Sequence, residues 1–230
     1  VVSETKLNTE AVTGSWLNDT YYKKSGSRTT LRISSLDIAA SHTARFDSKT
    51  DTIMASLVGF SGSWATNDVD ANVDAHIGSG ADIETQDLKI DAANLTRKNI
   101  LAAGQFNVQA GSGGVLQGNA AESKTEIRNV TDARVGDKVD IDVTGEVFSP
   151  GNFLISAKND LQGEDDVKLD TGGVIVGSGA TSNIKAVKND ATASIGDNVE
   201  ITTVGDLDLQ TRTIGDLKAE PIVHTYGLAT

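Results

Sequence analysis

The side chains in this sequence that could do chemistry are mostly carboxylates, since the chain has three histidines and no cysteine. Asp and Glu number 32 against 20 Lys and Arg, for a formal net charge of −12. The densest acidic run is Glu164-Asp165-Asp166, whose oxygens together with backbone carbonyls could ligate Ca²⁺. The chain has neither an EF-hand loop nor the Gly-Gly-x-Gly-x-Asp calcium-roll pattern. We therefore predict no cofactor, with a structural Ca²⁺ as the alternative.

Catalytic motifs are absent from the sequence. It contains no Gly-x-Ser-x-Gly elbow, no His-Glu-x-x-His pair and no phosphate-binding loop. The histidines, His42, His76 and His224, lie in unrelated contexts. His76 stands where two similar segments have Arg134 and Ser194, so we expect a variable, exposed position rather than a ligand or general base. The sequence predicts no catalytic and no metal-binding residue, and a protein that is not an enzyme.

The negative charge also bears on partners. Nucleic-acid binding depends on Lys and Arg that neutralise phosphates, and anionic membranes attract the same residues. No stretch approaches the roughly 20 apolar residues of a membrane-spanning helix. We expect neither nucleic-acid binding nor membrane insertion, and we interpret the acidity as a solubility feature.

The elements that must position these side chains recur at a constant interval along the chain. Gly59, Gly118 and Gly177 are equally spaced. Each is followed by an Ile-Gly or Val-Gly pair, at residues 77–78, 135–136 and 195–196. The last two pairs are one position further apart than the glycines, so an extra residue has entered between the two motifs. Repeats of this length, about 59 residues, indicate an array of copies of one structural unit.

We divide the chain into four units of one continuous array, namely residues 1–51, 52–110, 111–169 and 170–230. The first is degenerate and shortened, the third carries an inserted loop at 146–151, and the last includes the start of another repeat. The shortening follows because Leu36 to Ala40 resembles Leu88 to Ala92, and because Gly-Ser-Trp occurs at both 14–16 and 62–64.

Within each unit the apolar residues alternate with polar ones, as in half-buried strands. Val199 and Ile201 fall on one face, while Glu200 and Thr202 fall on the other. Only 4% of the residues are aromatic, so the core must be narrow and filled by Val, Ile, Leu and Ala. The sequence predicts an all-β fold, a β-solenoid similar to a parallel β-helix and built from repeats of about 59 residues.

The period restricts the architecture further. A repeat of about 59 residues is too short for an immunoglobulin-like domain, long for a propeller blade and long for one solenoid coil. We expect two or three coils per repeat, stacked about 4.8 Å apart. Asp137 and Asp197 should then lie about 10 to 15 Å apart, too far to share an ion.

Structural turns are predicted where the apolar-Gly pairs end. They involve Gly78, Gly136, Asp137, Gly196 and Asp197. We expect the glycines to accept positive φ and the aspartates to cap local backbone groups.

A family resemblance rests on three segments: Gly-Gly-Val-Ile-Val-Gly-Ser-Gly-Ala at 172–180, Ala-Ser-Ile-Gly-Asp-Asn-Val at 193–199 and Gly-Asp-Leu-Asp-Leu at 205–209. They are similar to the repeat of very large bacterial exoproteins of the filamentous haemagglutinin and leukotoxin-like filamentous adhesin kind. The likeness covers roughly residues 52–220. It implies a secreted, extracellular β-solenoid rod on the bacterial cell surface that acts in adhesion. It brings no catalytic residue to this chain.

Three aromatic residues are candidates for contact with a partner. Trp16 and Trp64 each follow Gly-Ser, and either pack as a repeated structural element or stack on sugar rings. Phe148 lies in the inserted loop, and insertions on a repeat scaffold often mark a binding face. The partners that we expect are neighbouring copies of the same protein, and surface glycans or proteins of host or bacterial cells.

The predicted function is that of a structural and adhesive repeat module of a secreted bacterial surface filament, mediating cell-surface, matrix or self-association. The alternative is a β-helix enzyme, a lyase or hydrolase acting on polysaccharide, in which carboxylates on one face do acid/base work. A third interpretation, an ice-binding face, lacks sustained Thr-x-Thr columns.

Overall fold

The chain folds as an all-β structure. The computed structural model describes residues 2–17, 29–99, 101–102, 104–146 and 149–229. Across these residues the chain forms ten strands: β1 (Val2–Leu17), β2 (Thr29–Phe46), β3 (Thr50–Ala55), β4 (Val58–Ile77), β5 (Ala81–Lys98), β6 (Val108–Val135), β7 (Asp140–Val143), β8 (Phe153–Ile195), β9 (Glu200–Thr203) and β10 (Leu207–Ala229). The all-β prediction is confirmed. Within the described ranges there is no helix with the length and hydropathy of a membrane span.

The strands associate in one large parallel sheet. Its ladders join β1 to β4, β2 to β5, β3 to β6, β4 to β6, β5 to β7, β5 to β8, β6 to β8, β7 to β9 and β8 to β10. Six of these ladders keep partner residues 58 to 60 positions apart, which is the length of the sequence repeat. Equivalent residues of consecutive repeats are therefore direct neighbours in the sheet.

This direct pairing overturns the expected separation of equivalent turns. The backbone N–H of Asp197 donates to Asp137 Oδ1 at 2.8 Å. With two or three coils per repeat, Asp137 and Asp197 were expected to lie about 10 to 15 Å apart. The expectation fails because no strand lies between the two repeats. One repeat advances the sheet by one strand spacing, so the prediction of two or three coils per repeat is wrong.

The register of the glycines is partly as expected. Gly118 pairs with Gly177, but its partner in β4 is Phe60, while Gly59 pairs with Gln117. Partners in β4 and β6 are 58 positions apart, whereas Gly59 and Gly118 are 59 positions apart. Gly59 therefore lies one position out of register with the other two glycines. Gly118 makes room for its neighbour, because a Cβ there would lie 2.4 Å from the ring of Phe60.

The extra residue between the last two motifs is located as a bulge in the ladder of β6 and β8. Ile127 pairs with Ala186 and Arg128 pairs with Lys188, so Val187 has no partner in β6. A bulge of this kind accommodates one additional residue without changing the pairing on either side of it. It accounts for the wider spacing of the last two apolar-Gly pairs.

The core lies between facing strands and is filled mainly by short aliphatic side chains. Inward and outward positions alternate along β5, so that Ala81, Ile83, Leu88 and Ile90 are buried. Equivalent inward residues stack from one repeat to the next, as Ile83, Ile141 and Ile201 do. The columns are apolar because alternating burial repeats at the same positions in each copy.

Two long connections that lie largely within the described ranges interrupt the regular pairing. Residues 99–107 link β5 to β6, and residues 144–152 link β7 to β8. The second includes the loop predicted at 146–151, where Glu146 and Ser149 form an isolated antiparallel bridge and Gly145 has a φ of 65°. In the first repeat Leu36 pairs with Leu88, as the shortened spacing predicts.

Candidate interaction surface

The Gly-Gly motifs lie against the backbone of the neighbouring repeat. A Cβ at Gly114 would lie 1.7 Å from the carbonyl oxygen of Ser56, and a Cβ at Gly173 would lie 2.8 Å from the carbonyl oxygen of Gly114. Glycine is required at both positions because any side chain would overlap that backbone. Gln117 fastens the same segment, since its buried side chain donates from Nε2 to the Ser56 carbonyl at 2.8 Å.

The two apolar residues that follow each Gly-Gly motif are exposed to solvent. Val115 and Leu116 are 47% and 40% exposed, and the equivalent Val174 and Ile175 are 42% and 54% exposed. Adjacent residues of a flat strand point to opposite faces, so exposure of both marks a position where the chain turns outward. Side chains that a sequence pattern would assign to the core are here on the surface.

These residues line up into a continuous surface, which we call the apolar ridge. Val58 pairs with Leu116, and Leu116 pairs with Ile175. The Leu57 carbonyl accepts hydrogen bonds from the N–H groups of Val115 and Leu116, both at 3.0 Å. The ridge comprises Leu57, Val58, Val115, Leu116, Val174, Ile175 and Leu228, all exposed.

The segments that carry the apolar ridge contain no charged residue. Residues 52–67, 111–121 and 171–184 have no Asp, Glu, Lys or Arg, although 23% of the whole chain is charged. Exposed Ile53, Phe60 and Tyr226 extend the apolar area on these segments and on β10. Contiguous apolar surface of this kind typically marks a site of protein association.

The predicted aromatic contacts differ in their placement. Trp64 is half-buried, and its ring covers Gly62, where a Cβ would lie 2.0 Å from the ring carbon Cη2. Trp16 belongs to β1, and its partner there is His76 rather than an equivalent of Trp64. The two Gly-Ser-Trp segments are therefore out of register. Phe148 lies outside the described residues.

The predicted turn residues are brought together as a stack. The N–H of Gly136 donates to the Ile77 carbonyl at 2.7 Å, and the N–H of Gly196 donates to the Val135 carbonyl at 2.9 Å. The backbone that Asp137 caps belongs to the next repeat rather than to its own turn as expected, since its Oδ1 accepts the N–H of Asp197.

The reason for glycine at these turns differs from the predicted one. Positive φ falls two residues later, at Gly80, Lys138 and Asn198, with φ of 73°, 58° and 54°. Gly136 is instead required by packing, because a Cβ there would lie 2.7 Å from the backbone nitrogen of Ser79.

His76 is not the exposed side chain that we expected. Its side chain is only 12% exposed, and its Nδ1 lies 3.0 Å from Asp74 Oδ2. Arg134 of the next repeat donates from Nη2 to the same carboxylate at 2.8 Å. Burial raises the pKa of Asp74, but the hydrogen bonds and charges of His76 and Arg134 outweigh it and hold that pKa below its ordinary value.

The acidic run at 164–166 does not converge on one point. Side chains alternate along β8, so Asp165 is buried while Glu164 and Asp166 face outward. Glu164 accepts a hydrogen bond from Lys218 Nζ at 2.6 Å, which lowers the pKa of Glu164. Across the described part of the chain, no group of three or more His, Asp or Glu side chains could hold a metal ion.

Sequence reasoning missed a buried ion pair. Lys98 Nζ lies 2.7 Å from Asp165 Oδ1, and both side chains are fully buried. Part of the signal was available, because the match of Leu36 to Ala40 with Leu88 to Ala92 places Lys98 at the position of Phe46. A lysine in an otherwise apolar column requires a compensating charge inside the fold.

Comparisons with protein-family models, with curated proteins and with solved structures find no match to this chain.

Proposed function

We propose that the chain is a segment of a β-solenoid in which each repeat of about 59 residues forms one coil. Support comes from the ladders, all of which are parallel and join residues 52 to 65 positions apart. In a solenoid each coil pairs only with its neighbours, and the sequence distance between partners equals the coil length. The loops at 99–107 and 144–152 vary that length without disturbing the strands beside them.

The function that we propose is a structural and adhesive module of a secreted bacterial surface filament. The observation that carries the proposal is the apolar ridge. Its residues are exposed, the segments that carry them contain no charged residue, and they pair in register from one repeat to the next. Each added coil would lengthen the rod by about 4.8 Å and extend the ridge by another pair of apolar residues. Length and adhesive area then grow together, as a surface filament requires.

A second copy of the same ridge is the partner that fits it. The apolar pairs of the ridge recur at the spacing of neighbouring strands. They match a surface with the same spacing, and a second copy of the chain has such a surface because its ridge is identical. The surrounding net charge of −12 opposes association elsewhere on the surface, so contact between copies is directed to the uncharged segments.

Self-association can be tested by placing charge on the ridge. The double variant Val115→Lys/Val174→Lys should weaken self-association at least about tenfold, because two exposed valines leave the contact and two charges would have to be desolvated. Sedimentation velocity across a concentration series measures the effect. The control Val187→Lys/Val204→Lys makes the same change at exposed valines outside the ridge and should associate like the parent chain.

Three results would contradict the proposal. Equal sedimentation of the ridge variant and the parent chain would exclude the ridge as a contact between copies, and binding to a glycan array by a strictly monomeric chain would make carbohydrate the partner. Turnover of uronate polymers, abolished by a single carboxylate substitution, would replace the adhesive function by the polysaccharide-active enzyme.

A further inference from the structure

Lys98 breaks the repeat at an interior position. The column that contains it has Phe46 on one side and Gly163 and then Leu217 on the other. Gly163 leaves room for it, because a Cβ there would lie 3.1 Å from Lys98 Cβ and 2.8 Å from Ile184 Cδ1. The sequence thus places an amine inside an apolar column and removes the side chain that would obstruct it.

The groups around the Lys98 amine form a closed set of polar contacts. Nζ lies 2.7 Å from Asp165 Oδ1 and donates to Thr125 Oγ1 at 3.2 Å. Thr125 Oγ1 in turn donates to Asp165 Oδ2 at 3.3 Å, and Ser123 Oγ donates to Asp165 Oδ1 at 2.5 Å. Asn67 Nδ2 holds the Thr125 hydroxyl from the other side, at 2.9 Å. All of these side chains are buried.

We propose that Lys98 and Asp165 join in an intramolecular isopeptide bond between β5 and β8. The Lys98 nitrogen attacks Asp165 Cγ, the N–Cγ bond forms, and the Cγ–Oδ2 bond breaks. Two of the three ammonium protons leave with Oδ2 as one water molecule, and the third stays on the amide nitrogen. Ammonium and carboxylate become amide and water with no oxidant, reductant or other reactant.

Two hydroxyl groups have defined roles in this reaction. Thr125 Oγ1 accepts from Nζ and donates to Oδ2, so it can pass protons from the amine to the leaving oxygen. Ser123 donates to Oδ1, the oxygen that carries the negative charge of the tetrahedral intermediate and becomes the amide carbonyl. The two carboxylate oxygens are thus held by different hydroxyl groups, one suited to the leaving oxygen and the other to the oxyanion.

Burial favours the reaction at both ends. It lowers the pKa of the Lys98 ammonium against the opposing effect of Asp165, which makes the neutral, nucleophilic amine easier to reach. Two charges held without exposure to solvent cost free energy that a neutral amide does not. The side chains are fully buried, so the product is also shielded from hydrolysis by bulk water.

Intact-mass spectrometry of the purified, denatured chain tests the bond directly. The mass should be about 18 Da below that of the sequence, the difference of one water, and a digest should contain a branched peptide joining Lys98 to Asp165. Lys98→Arg keeps the cation but lacks the nucleophilic amine, so its mass should equal the sequence mass. Lys158→Arg is the matched control, since Lys158 pairs with Asp91 on the exposed surface and its change should leave the deficit intact.

Asp165→Asn provides a second, independent mass. An asparagine in the same place would lose ammonia, about 17 Da, and would give a product identical to that of the parent chain. Thr125→Val removes the relay and should leave most of the protein unlinked. A parent chain at its full sequence mass would overturn the proposal, as would a deficit that maps to a succinimide within a single linear peptide.

Discussion

Asp166 is the described carboxyl whose pKa lies above its ordinary value. Burial raises the pKa of Asp166, and the negative charge of Glu164 adds to the effect. Its Oδ1 is buried without a hydrogen-bond partner. Because the folded state holds this proton more tightly than the unfolded chain, stability falls as pH rises from the ordinary value of 3.8 through the raised pKa. At neutral pH the charged Asp166 is therefore a destabilising residue.

Replacing Asp166 by Asn should stabilise the protein at pH 7 by roughly 0.5 kcal/mol or less, since solvent screens a partly exposed group. The gain should be absent below pH 3.8, where both states are protonated. Urea denaturation at pH 7 and at pH 3 measures it.

Asp170 is the matched control of opposite sign. A hydrogen bond from Lys168 lowers the pKa of Asp170, and one from His224 acts in the same direction. Asp170→Asn should reduce the urea midpoint at pH 7. Equal shifts in the two variants would show that the local charges do not act as described.

At the scale of the elements, glycine is required by packing at a stacked turn but not at every glycine of the strands. A Cβ at Gly136 meets the backbone of Ser79, while a Cβ at Gly177 meets nothing within 4 Å. Neither glycine has a positive φ, so the two positions differ only in the space around them. Comparing Gly136 with Gly177 therefore distinguishes a requirement for glycine that comes from packing from one that comes from backbone conformation.

Gly136→Ala should therefore destabilise the fold by about 1 to 3 kcal/mol, the usual cost of overpacking against a backbone that cannot move aside. Gly177→Ala should change the free energy of unfolding by no more than about 0.5 kcal/mol. Chemical denaturation of both variants measures the difference. If both lost the same stability, loss of chain flexibility rather than contact with Ser79 would be the cause.

At the scale of the whole molecule, the strands differ in how many neighbours they have. The 118–135 stretch of β6 pairs with β4 on one side and β8 on the other. In the described residues, the 178–195 stretch of β8 pairs only with β6. In a strand paired on one side, every other N–H group has no ladder partner.

Hydrogen exchange should follow this difference in pairing. Peptides from 118–135 should exchange at least about tenfold more slowly than peptides from 178–195, because arrays of repeats open from their outer members inward. Exchange monitored by mass spectrometry measures the ratio. Equal protection of the two stretches would mean that the chain opens only as a single cooperative unit, contrary to a nearest-neighbour array.

Local pattern determined much of this protein. Alternation within each repeat predicted strands, and the match of Leu36 to Ala40 with Leu88 to Ala92 gave their register directly. The inserted residue near Val187 and the loop at 146–151 were also visible, because an insertion changes the spacing of motifs on either side. These features are properties of short segments, and a linear sequence records them.

Only the tertiary structure showed which residues of different repeats are in contact and which apolar residues are exposed. The period of the sequence could not distinguish one coil per repeat from several. The number of coils depends on which strands form hydrogen bonds with each other, and those bonds join equivalent residues of consecutive repeats. Nor could the period place Val115 and Leu116 outside, because whether an apolar residue is buried depends on the direction in which the chain turns. Lys98 and Asp165 lie in different repeats, and only the pairing of β5 with β8 brings the amine to the carboxylate.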